Sequence, residues 1–355
     1  MVEMNTAEPH ERRASEAAQA ADLGDLRAEF NVLLSGCGVY DLSHRAKIKL
    51  TGEDRVRWLN GMITNNVRDL AVGRGVYAFL LNSQGHILAD LYAYHPGELM
   101  LVDTDHSQLE KVLSIFDKYI IMDDVEVENI SGNFGMIGIA GPRCREVLEP
   151  AGLQFPELQP LEFAEIVWQQ PSLTLVRGDN PLVGTYELWT APQHAKNLWQ
   201  SLINAGARPA STTAVELLRV AAGIPRYGKD IRERDLPQET EQQRALNFSK
   251  GCYIGQEIVE RIRSRGVVHR KFVGFEIEGP LPAPGSKVQV DGKDVGEITS
   301  AAVLPADEGE RKVALGYCRR EVGSRGREVS IGEVTARISQ LPFPGISGRG
   351  RLTSD

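Results

Sequence analysis

The sequence is poor in cysteine and lacks long apolar runs, and both shortages exclude classes of protein. Its four cysteines stand far apart, at positions 37, 144, 252 and 318, so no two are spaced for a zinc or cluster knuckle. Such sparse usage also argues against a scaffold held by disulfides. No run approaches the length of about 18 apolar residues that a membrane span requires. We therefore expect no metal site, no membrane contact and a reducing, cytoplasmic location.

Charge and composition narrow the class further. The net charge of -8 argues against direct nucleic-acid binding driven by overall charge. The hydrophobic fraction of 42% and the charged fraction of 25% are those of a folded globular protein, and 355 residues predict two or three domains. Residues 1–25 are polar, alanine-rich and acidic, without the apolar centre of a secretory signal. We predict that they form a disordered leader.

The middle of the chain mixes hairpins with single helices. Alternation over residues 46–51 predicts a strand, and the acids that follow predict a helix ending near Leu59. Further strands are predicted at 77–81, 87–94 and 99–102, with a helix at 107–115. A second lobe of similar style covers about 133–205. This mixture predicts an α+β body and not a doubly wound sheet.

The pattern of apolar and polar residues changes near residue 269. Short alternating segments separated by glycine and proline turns predict a small antiparallel β-barrel. The predicted organisation is therefore a body of two interlocked α+β lobes at 26–268, a C-terminal barrel at 269–344 and a polar tail at 345–355.

The densest chemistry lies in one stretch of eight residues, Lys250-Gly251-Cys252-Tyr253-Ile254-Gly255-Gln256-Glu257. The four-residue recurrence of isoleucine from Ile254 predicts a following helix with one buried stripe, and Glu257 and Arg261 are spaced as an ion pair on its wet face. The motif is thus a glycine-hinged turn that runs into a helix N-terminus, where amide N–H groups are unpaired. A thiol at that place, next to Lys250, is expected to ionise more easily than a free cysteine. The alternative is a buried cysteine in a helix cap with ordinary glycine turns.

This stretch resembles the signature of the YgfZ-type folate-binding proteins. They are relatives of the glycine-cleavage T-protein, an aminomethyltransferase, and serve iron–sulfur enzymes. The resemblance extends from about residue 39 to about 319 and includes the segments 40–45, 50–54 and 222–228. It implies a T-protein-like folate-binding body followed by the barrel, with tetrahydrofolate or a derivative as the ligand.

The resemblance also implies which residues form the site. Glu187 would accept the donor fork of the pterin ring, and Asp90 would act on the folate nitrogen. The implied folate-binding set is Tyr77, Asp90, Glu187, Arg219 and Tyr227, and the candidate catalytic residues are Cys252, Asp90 and Lys250. Without the resemblance, Glu187 and Arg219 would be interpreted as solvent-facing residues.

Two departures from the T-protein pattern bear on function. The T-protein loop Gly-Tyr-Thr-Gly-Glu is missing, and Asn180 stands where that loop carries its tyrosine. The T-protein also has no cysteine signature like that around Cys252. The resemblance therefore implies tetrahydrofolate-dependent assembly or repair of iron–sulfur clusters in client enzymes, including enzymes that modify tRNA. Iron–sulfur carrier or client proteins would be the partners. An aminomethyltransferase and a non-catalytic folate-binding regulatory module are the alternatives.

A cationic stretch follows the signature directly. A solvated helix face is its default interpretation, and a strip that binds the folate tail or a partner is the alternative. The stretch consists of Arg261, Arg263, Arg265, His269, Arg270 and Lys271.

Overall fold

The computed structural model describes residues 26–168, 172–266, 268–306 and 309–346. The predicted leader at 1–25 and most of the predicted tail lie outside these ranges. The helices are α1 (Leu26–Ser35), α2 (Arg55–Met62), α3 (Leu109–Tyr119), α4 (Cys144–Leu148), α5 (Pro192–Asn204), α6 (Thr212–Ala222) and α7 (Gln256–Arg265).

The strands form two open sheets and one closed barrel. They are β1 (Gly38–Asp41), β2 (Arg45–Thr51), β3 (Arg74–Leu81), β4 (Ile87–His95), β5 (Met100–Asp105), β6 (Glu126–Asn129), β7 (Gly135–Ala140), β8 (Phe163–Val167), β9 (Ser172–Arg177), β10 (Thr185–Thr190), β11 (Arg208–Pro209), β12 (Arg270–Glu278), β13 (Lys287–Val290), β14 (Lys293–Ala306), β15 (Gly309–Arg319), β16 (Glu328–Ile331) and β17 (Val334–Ser339).

The two open sheets are interlocked along the chain. The first, in the order β3-β4-β5-β2-β6, is built from residues that lie between β1 and β7. Those two strands pair with each other in the second sheet, whose order is β11-β1-β7-β10-β9-β8. The first lobe is therefore an insertion into the second, and the predicted α+β architecture is confirmed.

The helix α2 begins later than the sequence predicts. Glu53 and Asp54 precede it, so its first turn carries no acid. The carboxylate of Asp54 instead accepts a hydrogen bond from the backbone N–H of Asp124 at 3.0 Å. Gly52 is required at this turn because it has φ +95° and a Cβ there would lie 2.1 Å from the carbonyl oxygen of Asp124.

The six strands β12-β15-β14-β13-β16-β17 close into an antiparallel barrel, as predicted. The strand β12 is buried on both of its faces, whereas the alternation in its sequence predicted burial of one face only. Phe275 packs inside the barrel, while Phe272 packs with Leu304 and Tyr317 against the body. The outer wall of the barrel is thus part of the main core, which fixes its position relative to the lobes.

The chain returns to the first lobe through the signature. Tyr253 packs in one buried cluster with Tyr77 and Phe79 of β3. Val259 is the fully buried position of α7, and the isoleucines of the predicted stripe are half-buried beside it. Among the described residues, no helix is long and apolar enough to cross a membrane.

Candidate functional site

Asp90 lies on β4 with both carboxylate oxygens held by neutral donors. The Tyr77 hydroxyl donates to Oδ2 at 2.7 Å, and the Gln108 amide donates to Oδ1 at 2.8 Å. Gln108 also accepts from the backbone N–H of Asp90 at 3.0 Å. Burial, followed by the charge of Asp90, raises the pKa of Tyr77 well above its usual value, so the phenol stays a donor. Asp90 is thereby fixed in orientation, and among the described residues no cation forms an ion pair with it.

Tyr227 lies on the same side of the first lobe. Its hydroxyl donates to the carbonyl oxygen of Leu88 and accepts from Lys111 at 3.0 Å. It packs in the same apolar cluster as Tyr77. The structure therefore brings together three of the predicted residues, Tyr77, Asp90 and Tyr227.

Arg244 and Asp179 cover this cluster. Arg244 forms an ion pair with Asp179, and its guanidinium lies 4.3 Å from the centre of the Tyr77 ring. The Tyr92 hydroxyl donates to Asp179 at 3.3 Å. Asp179 belongs to the loop before β10, where Asn180 accepts from the backbone N–H of Leu182 at 2.9 Å. This loop contributes a carboxylate to the edge of the site.

Glu187 approaches from the second sheet. Its Oε2 accepts from the indole N–H of Trp189 at 2.9 Å. Within the described part of the chain, Oε1 has no hydrogen-bond partner. The Trp189 ring packs edge-on to Tyr94 of β4 at 5.2 Å. Glu187 thus stands, half-buried, at the junction of the two sheets with one acceptor oxygen unused.

A buried charge cluster joins the two carboxylates. Asp103 accepts from Arg45 Nε at 2.9 Å and from Lys47 Nζ at 2.7 Å. Lys47 is fully buried and lies 3.7 Å from the centre of the Trp189 ring. Asp103, Glu187, Tyr92 and Asp90 all act on the Arg45 guanidinium, and they raise its pKa although burial opposes them. Glu187 and Asp90 therefore both lie within electrostatic range of Arg45.

Arg219 is held in a different place. Its guanidinium pairs with Glu216 and with Asp230, and it donates to Ser300 Oγ at 3.0 Å and to the carbonyl oxygen of Ile224. These bonds occupy all five N–H donors. A contact between Arg219 and folate would require at least one of them to break. The geometry favours a structural role at the contact between α6 and the barrel, and the predicted ligand contact remains a prediction.

Lys250 has a structural environment that the sequence did not suggest. Its ammonium donates to the carbonyl oxygens of Asn60, Ile63 and Asn65 at 2.5, 2.6 and 2.7 Å. Burial, followed by the charge of Arg68, lowers its pKa to about 7, whereas three carbonyl acceptors favour the charged form. Lys250 thus links the signature to the end of α2 and the residues that follow it. It is not a free cation beside Cys252, so the expectation that its charge activates the thiol is corrected.

The remaining signature residues form a rigid turn. Gly255 has φ +81° and caps α7, and a Cβ there would lie 2.6 Å from the carbonyl oxygen of Asn82. The Gln256 side chain accepts from the backbone N–H of Tyr253 at 3.3 Å. Cys252 is exposed and lies four residues before the helix begins, outside its first turn. The second premise of its activation, helix amides next to the thiol, is therefore also wrong.

Two residues of the signature have little contact. Gly251 has no positive φ, and the nearest atom to a Cβ there would be the Arg68 side chain at 3.9 Å. Glu257 is exposed in the first turn of α7. The ion pair found on this helix, within the described residues, joins Arg263 to Glu260 at 3.6 Å, not Glu257 to Arg261.

Sequence reasoning did not assign Tyr92, Tyr94, Lys47, Asp103 or Arg244 to the site. Two sequence patterns would have indicated the first four of them. Asp90, Tyr92 and Tyr94 alternate on β4, so they share one face. Lys47 and Asp103 are direct cross-strand partners. Arg244 carried no local signal, because only the return of the chain after the lobes places it over Tyr77.

Comparison with known proteins gives the family. Residues 14–250 match the GCVT N-terminal domain, and residues 270–343 match the glycine cleavage T-protein C-terminal barrel domain. The chain belongs to the glycine cleavage T-protein family. The predicted superfamily is thus confirmed, whereas the YgfZ subtype stays a prediction.

Relatives of this T-protein family member span most of its length. An aminomethyltransferase of Rubrobacter xylanophilus is 31% identical over 90% of this chain and 86% of that protein. A chloroplastic putative transferase of Arabidopsis thaliana is 25% identical over 87% of this chain and 72% of that protein. The crystal structure of an aminomethyltransferase T of the glycine cleavage system from Bartonella henselae superposes with a TM-score of 0.84 at 21% identity, covering 95% of this chain and 98% of that one. That likeness confirms the T-protein fold.

The candidate catalytic residues Cys252, Asp90 and Lys250 are not part of a metal-binding cluster within the described residues. Among the described residues, no group of three or more histidine, cysteine, aspartate or glutamate side chains could hold a metal ion. Cys37 and Cys144 are neighbours, with 3.6 Å between their sulfurs, but both are buried far along the chain from Cys252.

Proposed function

We propose that this chain binds tetrahydrofolate or a derivative at the junction of its two sheets, between Glu187 and Asp90. The observation that carries the proposal is the state of two carboxylates that both act on the charge of Arg45. Among the described residues, Glu187 has one acceptor oxygen without a hydrogen bond, and Asp90 is oriented by two neutral donors.

The chemistry of a pterin fits these residues. Its ring edge offers two N–H donors side by side, and a carboxylate such as Glu187 accepts both. Its flat ring matches the aromatic faces that line the junction, those of Tyr77 and Tyr92, whose ring centres are 5.0 Å apart. Membership of the T-protein family supports the same ligand class.

The first candidate reaction is aminomethyl transfer to tetrahydrofolate. Asp90 would hold or move a proton at a folate nitrogen, and Tyr77 and Gln108 would keep its carboxylate aimed there. The relatives named aminomethyltransferase favour this candidate over the iron–sulfur function expected from the signature.

The second candidate is folate-dependent maintenance of iron–sulfur clusters in cytoplasmic client proteins. It is favoured by one observation, the exposed thiol of Cys252 on a turn held rigid by Lys250 and Gly255. An accessible thiol on a fixed turn can reach a partner protein, whereas the other three cysteines are buried.

One experiment separates the candidates. The purified protein is given tetrahydrofolate and an aminomethyl-lipoyl carrier protein, and ammonia release is measured for the wild type, Asp90→Asn and Cys252→Ser. The first candidate predicts turnover that falls by roughly 100-fold or more in Asp90→Asn and is unchanged in Cys252→Ser.

The second candidate predicts the opposite pattern. Ammonia release would be absent, and cells lacking the gene would lose activity of an iron–sulfur client enzyme. The wild-type gene would restore it and Cys252→Ser would not. Folate binding with neither activity would leave the plain folate-binding module.

A further inference from the structure

The indole of Trp189 holds the Glu187 carboxylate in place. Within the described ranges, its N–H is the donor to Glu187 Oε2, at 2.9 Å, and the two residues share one face of β10. The buried Trp189 ring packs edge-on against Tyr94 at 5.2 Å and against Phe134 at 6.4 Å. Because the N–H lies in the plane of the ring, these two contacts also fix the direction in which it donates.

The Lys47 ammonium lies against the face of this ring, 3.7 Å from its centre. Lys47 is fully buried and forms an ion pair with Asp103, its cross-strand partner on β5, at 2.7 Å. A cation at the face of an aromatic ring attracts the electrons of that ring. The polarised indole N–H is thereby a stronger donor to the negatively charged Glu187.

Lys47 and Glu187 also influence each other through their charges. Burial lowers the pKa of Lys47, while the charges of Asp103 and Glu187 act in the opposite direction. Among the described residues, however, no hydrogen bond or ion pair joins Lys47 to Glu187. The cation therefore supports the carboxylate without occupying an oxygen that a ligand could use.

Stability alone does not explain a lysine at this position. Removing an ammonium and a carboxylate from water is costly, and a buried ion pair is often no more stable than apolar residues of the same volume. The ring against which Lys47 lies belongs to the main apolar core, together with Tyr94 and Met136. A role at the neighbouring carboxylate does explain the buried cation.

We propose that Trp189 and Lys47 are positioning residues for the pterin-binding carboxylate, with Trp189 orienting Glu187 and Lys47 strengthening the hydrogen bond between them. The inference rests on the proposed folate site and adds what keeps its carboxylate oriented and open to the ligand. Neither residue needs to touch the folate, because both act through Glu187.

The hydrogen bond can be followed without any ligand. In protein labelled with heavy-nitrogen tryptophan, each indole N–H gives its own NMR signal, and the signal that is lost in Trp189→Phe belongs to Trp189. Glu187→Ala and Lys47→Met should each move this signal upfield, because a weaker hydrogen bond deshields the proton less. The signals of Trp58 and Trp168, which donate to backbone carbonyls, should stay in place.

Calorimetry with tetrahydrofolate tests the role in binding. Trp189→Phe keeps an aromatic ring in the core and loses the N–H, so affinity should fall roughly tenfold, as expected for a hydrogen bond to a charged group. Lys47→Met should reduce affinity roughly threefold to tenfold. In a Glu187→Ala background, each change should cost no more than about twofold, because the carboxylate through which both residues act is gone.

Two matched variants control for packing. Lys49 lies two residues further along β2 and pairs with Glu128, and Trp199 lies on α5 against the separate core of the second lobe. Lys49→Met and Trp199→Phe should bind tetrahydrofolate as the wild type does. Thermal melting checks that each variant folds. If Lys47→Met does not fold, Trp189→Phe and its combination with Glu187→Ala still decide the role of the indole.

Three outcomes would overturn the inference and leave the folate site in place. Unchanged tetrahydrofolate affinity in Trp189→Phe would show that other contacts orient Glu187. Losses that persist in full in the Glu187→Ala background would show that both residues act through packing alone. A Trp189 signal that does not move in Lys47→Met would remove the lysine from the arrangement. If the wild type does not bind tetrahydrofolate, the proposed function is contradicted, and this inference with it.

Discussion

The signature turn and the folate junction use charged residues in opposite ways. In the turn, the Lys250 ammonium donates all three of its hydrogen bonds to backbone carbonyls. Its charge therefore holds the signature against the segment around Ile63. At the junction, and within the part of the chain that the structure describes, one oxygen of Glu187 accepts no hydrogen bond, and Asp90 is held by neutral donors and not by a cation. A binding site requires polar groups that are oriented yet still available, and only the junction has them.

The same contrast separates two arginines that the resemblance and the fold bring to attention. Arg219 has every donor occupied and only 13% of its side chain exposed. Arg244 stacks on Tyr77, pairs with Asp179, and keeps 34% of its side chain exposed at the edge of the site. Availability, and not residue type, distinguishes the residue that can meet a ligand.

The largest expected effect is on Lys250. Lys250→Met should lower the free energy of unfolding by roughly 3 kcal/mol, because three buried carbonyls lose a charged donor. Urea denaturation measures it, with exposed Lys293→Met as the matched control. A loss no larger than that of the control would mean that the turn is held by its glycines and apolar contacts alone.

A smaller loss is expected at Arg219. Arg219→Lys keeps the charge but loses the planar fork, so stability should fall by about 1–2 kcal/mol while tetrahydrofolate affinity stays within about twofold. Exposed Arg327→Lys is the control for both measurements. If affinity falls and stability does not, Arg219 is a ligand contact, as the resemblance implied, and the contrast with Arg244 fails.

The partner of Arg219 gives a pH test. Burial raises the pKa of Glu216, but hydrogen bonds from Arg219 and Lys229 outweigh it and lower that pKa from its usual 4.5 to about 2. The stability from this carboxylate is therefore complete above pH 4.5 and is lost as the pH falls from there towards 2. Glu216→Gln should lose less stability than the wild type over that window. Glu146→Gln, at an exposed ion pair, should follow the wild type.

The smallest structural effect is expected at Cys252. It should react with iodoacetamide before the other cysteines because it is exposed, whereas burial raises the pKa of Cys318 to about 12. Mass spectrometry of the labelled peptides follows the order, and labelling in denaturant shows that all four thiols can react. Cys252→Ser should leave the unfolding free energy unchanged. Reaction of Cys144 or Cys318 first would show that the turn shields Cys252.

The architecture was predictable because it depends on local patterns. Alternation in β2, the compact apolar run of β3 with its return strand β4, and the change of sequence pattern near residue 269 indicated the lobes and the barrel. The burial of β12 on both faces was not predictable, since its outer face is covered at Gly274 by the side chains of Leu341 and Phe343, which are distant in the sequence. The boundaries of the predicted domains stay predictions.

The site was predictable only where a resemblance pointed to it. Tyr77, Asp90 and Tyr227 do come together, but the role of Lys250 depends on carbonyl groups that are distant in the sequence. Arg219 combines near partners with one distant partner, Ser300. Lys250 and Cys252 lie close together in the sequence, which suggested that the lysine activates the thiol. In the fold, Lys250 instead donates to backbone carbonyls, while Cys252 is exposed. Neither pattern nor charge spacing can reveal that division.

Calorimetric titration of tetrahydrofolate tests whether Glu187 and Asp90 belong to a folate site. The wild type should bind, and Glu187→Gln should bind more weakly by about 1–3 kcal/mol because a charged acceptor is lost. Glu333→Gln, in an exposed turn of the barrel, should bind as the wild type does. Equal affinity of the wild type and Glu187→Gln for tetrahydrofolate would remove Glu187 from the site. If the wild type does not bind tetrahydrofolate, the proposed folate site is contradicted.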